Sequence, residues 1–166
     1  MVKQDRGRII NVSSPAWLGM IGPSAYTAAK GAVASLTMGI AQQMALEGYA
    51  ITCNAIVPIA DTRMSPRRGA ERFERLYRAG LITRQVYEES VDPPGPEHVP
   101  PIVLYLATDQ AANINGQLLG ASRGRVALYS WPTEVKGLYK EGLWTLEELM
   151  QRMPTTLVQD MRVAKG

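Results

Sequence analysis

The sequence predicts an α/β fold of the doubly wound kind, built on a parallel sheet, and three observations carry that prediction. Two short runs, "GRIINVSS" (7–14) and "YAITCNAIVP" (49–58), are apolar and β-branched without polar alternation, as strands buried on both faces are. Between them, from about Ala25 to Glu47, apolar residues recur at helical spacing. Strand, helix, strand with buried-type strands is a crossover unit, which joins parallel neighbours in one sheet.

The first strand opens at Gly7 and closes in serines. "PAWLGMIGPS" follows as a loop, with two glycines and two prolines. On the long helix, Tyr26, Lys30, Val33, Thr37, Ile40 and Met44 share one side, while Ala25, Ala29, Ala32, Leu36 and Gly39 share another. Small residues on that second side let another helix approach closely. Gly48 is a natural stop, and Pro58 ends the second strand. "SPRRGAERFERLYRAG" carries a Ser cap, a Pro at the first helical position and a closing glycine. "LITRQVYEES" predicts a further short helix, and "VDPPGPEHVPP" a connector. "IVLYLATD" is the body of a helix whose first turn tolerates Pro100 and Pro101. "NGQLLGASRGRVALYS" reads as strand, glycine turn and a further strand. In "TLEELMQRM", Thr145 and Glu148 have capping-box spacing, which predicts a C-terminal helix.

At 166 residues the chain fits one domain with a real core. A formal charge of +3 with scattered basic residues argues against a nucleic-acid partner. Cys53 is the only cysteine, so no internal disulfide or cysteine-based metal cluster can form, and its setting predicts a small buried residue. No metal site is expected. Residues 9–29 lack charge, but prolines, glycines and serines interrupt them, so no membrane span is expected. "MVKQDRGR" leads into no signal-peptide pattern, which predicts a cytoplasmic chain.

"SAYTAAKGAVASL" (24–36) places a phenol and an ammonium four residues apart, on one helix face. A cation beside a phenol favours the phenolate. An isolated Tyr-x-x-x-Lys is usually an exposed Tyr with a solvated Lys, so the surroundings must decide. They do so in order along the chain: "RIINVSS", then "YTAAK" twelve residues beyond Ser14, then "CNAIVP" with "DTRM", then "PEHVPPIVLYLATD" with "INGQLL". This ordered set resembles the C-terminal half of a short-chain dehydrogenase/reductase, over roughly residues 1–120.

The resemblance implies a Rossmann-like doubly wound sheet and a reaction. It makes Tyr26 the general acid/base that exchanges a proton with a carbonyl or hydroxyl oxygen. A free phenol titrates near ~10, and Lys30 together with a positive nicotinamide ring would bring that down. Lys30 would also hold the nicotinamide ribose, and Ser14, rather than Ser13, would donate to the substrate oxygen. Pro58, Ile59, Ala60 and Thr62 would line the nicotinamide side, with Tyr26 and Lys30 also touching the cofactor. That cofactor would be NAD or NADP, with NAD favoured. The substrate would be a small molecule with a hydroxyl or carbonyl, and the intact protein a homo-oligomer paired through the long helix.

The chain also departs from the family pattern. Glycine usually follows the loop proline, with a longer spacing to the threonine; here the segment is "PIADT". The shorter loop and the tail "GLWTLEEL" resemble the (3R)-hydroxyacyl-CoA dehydrogenases of multifunctional β-oxidation enzymes. No glycine-rich turn precedes a helix near the N-terminus, so the sheet is expected to be incomplete, its N-terminal βαβ units absent. Residues 1–120 are then the catalytic half-domain and 121–166 an extension with a short helix. The rival reading is a truncated, non-catalytic remnant that at most associates with intact subunits. His98 is expected at the surface, and Trp17 either lines a substrate pocket or packs its own loop.

Overall fold

A computed structural model describes residues 1–19, 23–63 and 70–159. It divides into two compact units, Met1–Ser130 and a second from Trp131 onward. The first holds a sheet of four strands in spatial order β1 (Gly7–Val12), β2 (Ile51–Pro58), β3 (Leu118–Ser122) and β4 (Arg125–Tyr129). The first three run parallel, and β4 returns antiparallel to β3 through a two-residue turn. Both turn residues, Arg123 (φ 37°) and Gly124 (φ 72°), have positive φ, as a hairpin matched to strand twist requires.

Helix α1 (Ser24–Leu46) lies between β1 and β2 in the chain, within one residue of the predicted span at each end. Gly48, at φ 77°, takes the left-handed conformation just past its end. Then come α2 (Ala70–Arg78), α3 (Arg84–Val91) capped by Thr83, and α4 (Pro100–Ala107), which begins at the predicted proline pair. The Ser cap and first-position Pro expected before α2 lie outside the described residues.

Parallel register carries side chains to two faces by turns. On one, Ile10, Ile56, Leu119 and Ala121 pack with Ile102 and Leu106 of α4. On the other, Asn11 donates to Thr37 Oγ1 of α1 at 2.9 Å. Helices on both faces are what buried-type strands demand. All but the last residue of β2 is buried, whereas β1 is mostly half-buried. Among the described residues, strand β1 has a neighbour on one side only.

Buried polar groups fix the sheet register. Asn54 donates to the Ile114 carbonyl (2.7 Å) and accepts from the Gln117 N–H (2.9 Å). Asn115 accepts from the Cys53 N–H (2.8 Å) and donates to the Ala41 carbonyl (3.1 Å). Together they join β2, α1 and the approach to β3 without leaving these groups unmet.

The long helix turns Ala34, Thr37 and Ala41 inward. This line belongs with the side predicted from Lys30, Val33 and Thr37. The stripe Ala25, Ala29, Ala32, Leu36 and Gly39 is exposed throughout, and Lys30 is the one charged side chain in the helix.

In the second unit, α5 (Leu146–Arg152) has the predicted reciprocal cap. The Thr145 hydroxyl accepts from the Glu148 N–H (3.2 Å), and the Glu148 carboxylate accepts from the Thr145 N–H (2.8 Å). Hydrogen bonding from Lys140 first, then from this backbone N–H, holds Glu148 below the usual carboxylate range.

Candidate active site

Parallel strands deliver their C-terminal ends to one edge of the sheet, where an open α/β fold places its ligands. Val12 stands opposite Ile56, so the residues just beyond β1 and those that end and follow β2 lie side by side. These are Ser13 and Ser14 on one strand, and Pro58 to Thr62 on the other.

The two serines differ. Ser13 is 2% exposed; its N–H donates to the Ile56 carbonyl (2.8 Å) and its hydroxyl to the Lys30 carbonyl (2.9 Å). That hydroxyl belongs to the joint between β1 and α1. Ser14 is half-buried and starts the short 3-10 turn Pro15–Leu18, its Oγ accepting a long bond from the Ala16 N–H at 3.3 Å. That bond leaves the Ser14 hydroxyl its own proton to donate.

Lys30 reaches back from α1 to donate to the Val12 carbonyl at 2.9 Å. Its Nζ lies 5.7 Å from the centroid of the Tyr26 ring, one helical turn earlier, within range of a cation–π attraction. Tyr26 is 45% exposed. The ammonium therefore links the end of β1 to the phenol, and the phenol stays open to solvent.

Beyond β2, Ile59 N–H donates to the Ala121 carbonyl near the end of β3 (3.0 Å), and Asp61 N–H to the Pro94 carbonyl (2.6 Å). These bonds pin both sides of Ala60. Pro58, Ile59, Ala60 and Asp61 are half-buried, and Thr62 is exposed. So the geometry gathers Ser14, Tyr26, Lys30 and the 58–62 loop at a single end of the sheet.

The remaining candidates are structural or peripheral. Cys53 is fully buried, and burial pushes its thiol up, against a smaller opposing effect of the Asn11 amide. Trp17 packs edge-on against Tyr129 of β4, ring centroids 5.9 Å apart. His98 is exposed. Among the described residues no cluster of three His, Cys, Asp or Glu could hold a metal ion, and no helix is long and apolar enough to cross a membrane. Sequence reasoning missed Glu89, an acid buried against Arg125 across 36 positions.

With that geometry in view, the comparisons with known proteins are specific. Residues 1–72 match the family described as short chain dehydrogenase. Hydroxyacyl-CoA dehydrogenase ChsB1 of Mycobacterium tuberculosis is 34% identical over 145 residues, covering 86% of this chain and 42% of that protein. The chain belongs to the short-chain dehydrogenase/reductase family. A second member of this family, the BbsD subunit of (2S)-[(R)-hydroxy(phenyl)methyl]succinyl-CoA dehydrogenase from Thauera aromatica, is 31% identical, covering 75% of this chain and 47% of the subunit. The crystal structure of a short chain dehydrogenase from Mycobacterium avium superposes with a TM-score of 0.66 at 28% identity, over 90% of this chain and 43% of that one. The chain thus spans about half the length of the curated relatives it matches.

Proposed function

We propose that the chain supplies the catalytic and nicotinamide-side half of an NAD(P)-dependent oxidoreductase acting on a hydroxyl/carbonyl pair, with 3-hydroxyacyl thioesters as substrate class. The observation that carries this is Lys30, held by the Val12 carbonyl and set over the Tyr26 ring at the C-terminal end of the sheet. The thioester class rests on the two relatives named above, both described as dehydrogenases of CoA substrates.

A nicotinamide cofactor, when bound, accepts or supplies the hydride. The residues present fit its nicotinamide end: Pro58, Ile59, Ala60 and Thr62 end and follow β2 in a loop pinned at Ile59 and Asp61, and β2 pairs with the strand whose Val12 carbonyl holds Lys30. Tyr26 Oη takes the hydroxyl proton of an alcohol or gives one to a carbonyl. Lys30 stabilises the negative charge left on that oxygen. Ser14 donates to the substrate oxygen and holds it within reach of the phenol.

Two experiments test this reading. In a polypeptide that carries these residues together with a nucleotide-binding half, NAD-linked oxidation of a 3-hydroxyacyl-CoA is expected, and its absence across NAD, NADP and acyl lengths overturns the reading. There, Lys30→Ala is expected to raise the KM for the cofactor and lower kcat, since it removes both a cofactor contact and the charge beside Tyr26. An unchanged cofactor KM would remove Lys30 from the site.

A second reading has its own support. Among the described residues no glycine-rich turn links a strand to a helix N-terminus, the device that holds a pyrophosphate. The 166-residue chain by itself is then a folding or association module. Calorimetric titration with NAD(H) is expected to show binding weaker than micromolar; micromolar affinity would refute it.

A further inference from the structure

Between the 58–62 loop and α4, the chain makes an excursion through α2 and α3. Its neck is closed where Asp61 N–H donates to the Pro94 carbonyl. Among the described residues of 61–94, only Ile82, Glu89 and Pro94 are buried. Helix α2 buries none, and α3 buries only an acid. Apolar packing therefore holds the described part of this excursion weakly, and its attachment must be sought elsewhere.

It is found at the β3–β4 turn. Arg125 donates through Nε and Nη2 to the two carboxylate oxygens of Glu89, at 3.3 and 3.2 Å, a two-pronged pair. Glu89 is 6% exposed and also accepts from Gln85 at 3.2 Å. Arg123 donates to both the Asp92 carbonyl and its carboxylate, the latter at 2.8 Å. A cleft of about 520 Å³ lies between these elements, lined by Gln85, Tyr87, Glu88 and Val91 beside the two ion pairs. Ions, with a gap beside them, join α3 to the sheet here.

The backbone supplies an independent sign. Arg123 occupies a left-handed position, φ 37°, in a two-residue turn where Asn, Asp or Gly is the ordinary occupant. A long side chain there is disfavoured, and such outliers persist where the surroundings over-determine them. Its guanidinium on Asp92 is that surrounding.

We propose that Arg123 and Arg125 are positioning residues: together they form an electrostatic latch that holds the 61–94 excursion on the sheet and so fixes the neck of the cofactor-side loop. The latch stands on geometry alone; its bearing on turnover rests on the function proposed above. Of the two pairs, Arg123–Asp92 is the more exposed and screens first, while Glu89 is shielded.

Hydrogen exchange of the full chain, read peptide by peptide, tests the latch without any activity. In Arg123→Ala/Arg125→Ala, exchange across 84–94 and at Asp61 is expected to rise by about tenfold or more, with β2 unchanged. Arg125→Lys is expected to keep most of the protection and Arg125→Met to lose it, the reverse of what a packing role would give. In the unaltered chain, raising salt from about 0.1 M to about 1 M, which shortens the Debye length from ~10 to ~3 Å, is expected to loosen the same peptides. That salt series decides the matter if the double variant does not fold. Exchange across 84–94 that ignores salt, or that rises only in step with β2, overturns the proposal.

Discussion

Tyr26→Phe is expected to lower turnover by about 10²–10⁴-fold in a polypeptide that carries the complete site, the range a positioned general acid/base supplies, while cofactor affinity changes little. The reason is local. The hydroxyl is the one atom that can move a proton in the proposed scheme, whereas the ring contributes shape and the face over which Lys30 sits, 5.7 Å from its centroid. Phenylalanine keeps that ring and face. Steady-state kinetics with parallel cofactor titration reads the two effects apart. A variant that retains more than about a tenth of the parent rate, well above the range expected from losing a general acid/base, removes Tyr26 from the chemistry. Ser14→Ala in the same assay is the internal comparison, since the substrate-side donor is lost while the proton donor stays.

Much of the fold was legible because local signals agreed. The strand at 51–58 was readable from an apolar run with a terminal proline, and α1 from its period and Gly48. The Thr145–Glu148 cap was readable from spacing alone, since both partners lie within one turn. What sequence could not supply was pairing across distance. Glu89 looks like any helical surface acid, and nothing near it announces that Arg125 returns from another strand to bury it. Trp17 against Tyr129 is the same kind of event, a loop ring meeting a strand ring more than a hundred positions away. The site was legible as residue types in order. That Ser13 spends its hydroxyl on the Lys30 carbonyl while Ser14 keeps a proton to donate is visible only once β1 and α1 are docked.

The 166-residue chain, prepared by itself, is expected to associate through the free edge of β1. Gly7 N–H bonds to the Ala50 carbonyl and Ser13 N–H to that of Ile56. Alternation then turns the backbone groups of Arg8, Ile10 and Val12 away from β2. The Val12 carbonyl is met by the Lys30 ammonium, yet the strand remains an edge, with Val12 51% exposed. An apolar parallel-type strand at an edge is a template for another chain. The uncharged face of α1 is a second open surface, with Leu36 57% exposed. Covering a few hundred Å² of such surface, at roughly 25 cal/mol per Å², is worth several kcal/mol, comparable with a whole domain's stability of about 5–15 kcal/mol. Size-exclusion chromatography and thermal unfolding are therefore expected to depend on protein concentration. Two variants tell the surfaces apart: Val12→Glu puts a charge on the strand edge, and Ala32→Arg puts one on the helix face. The larger shift toward monomer is expected from Val12→Glu, because an unpaired strand leaves hydrogen-bonding groups unmet as well as apolar area. If Ala32→Arg alone dissociates the assembly, the helix face is the interface. A sharp, concentration-independent transition from a monomer would show that the edge of β1 is stable as it stands.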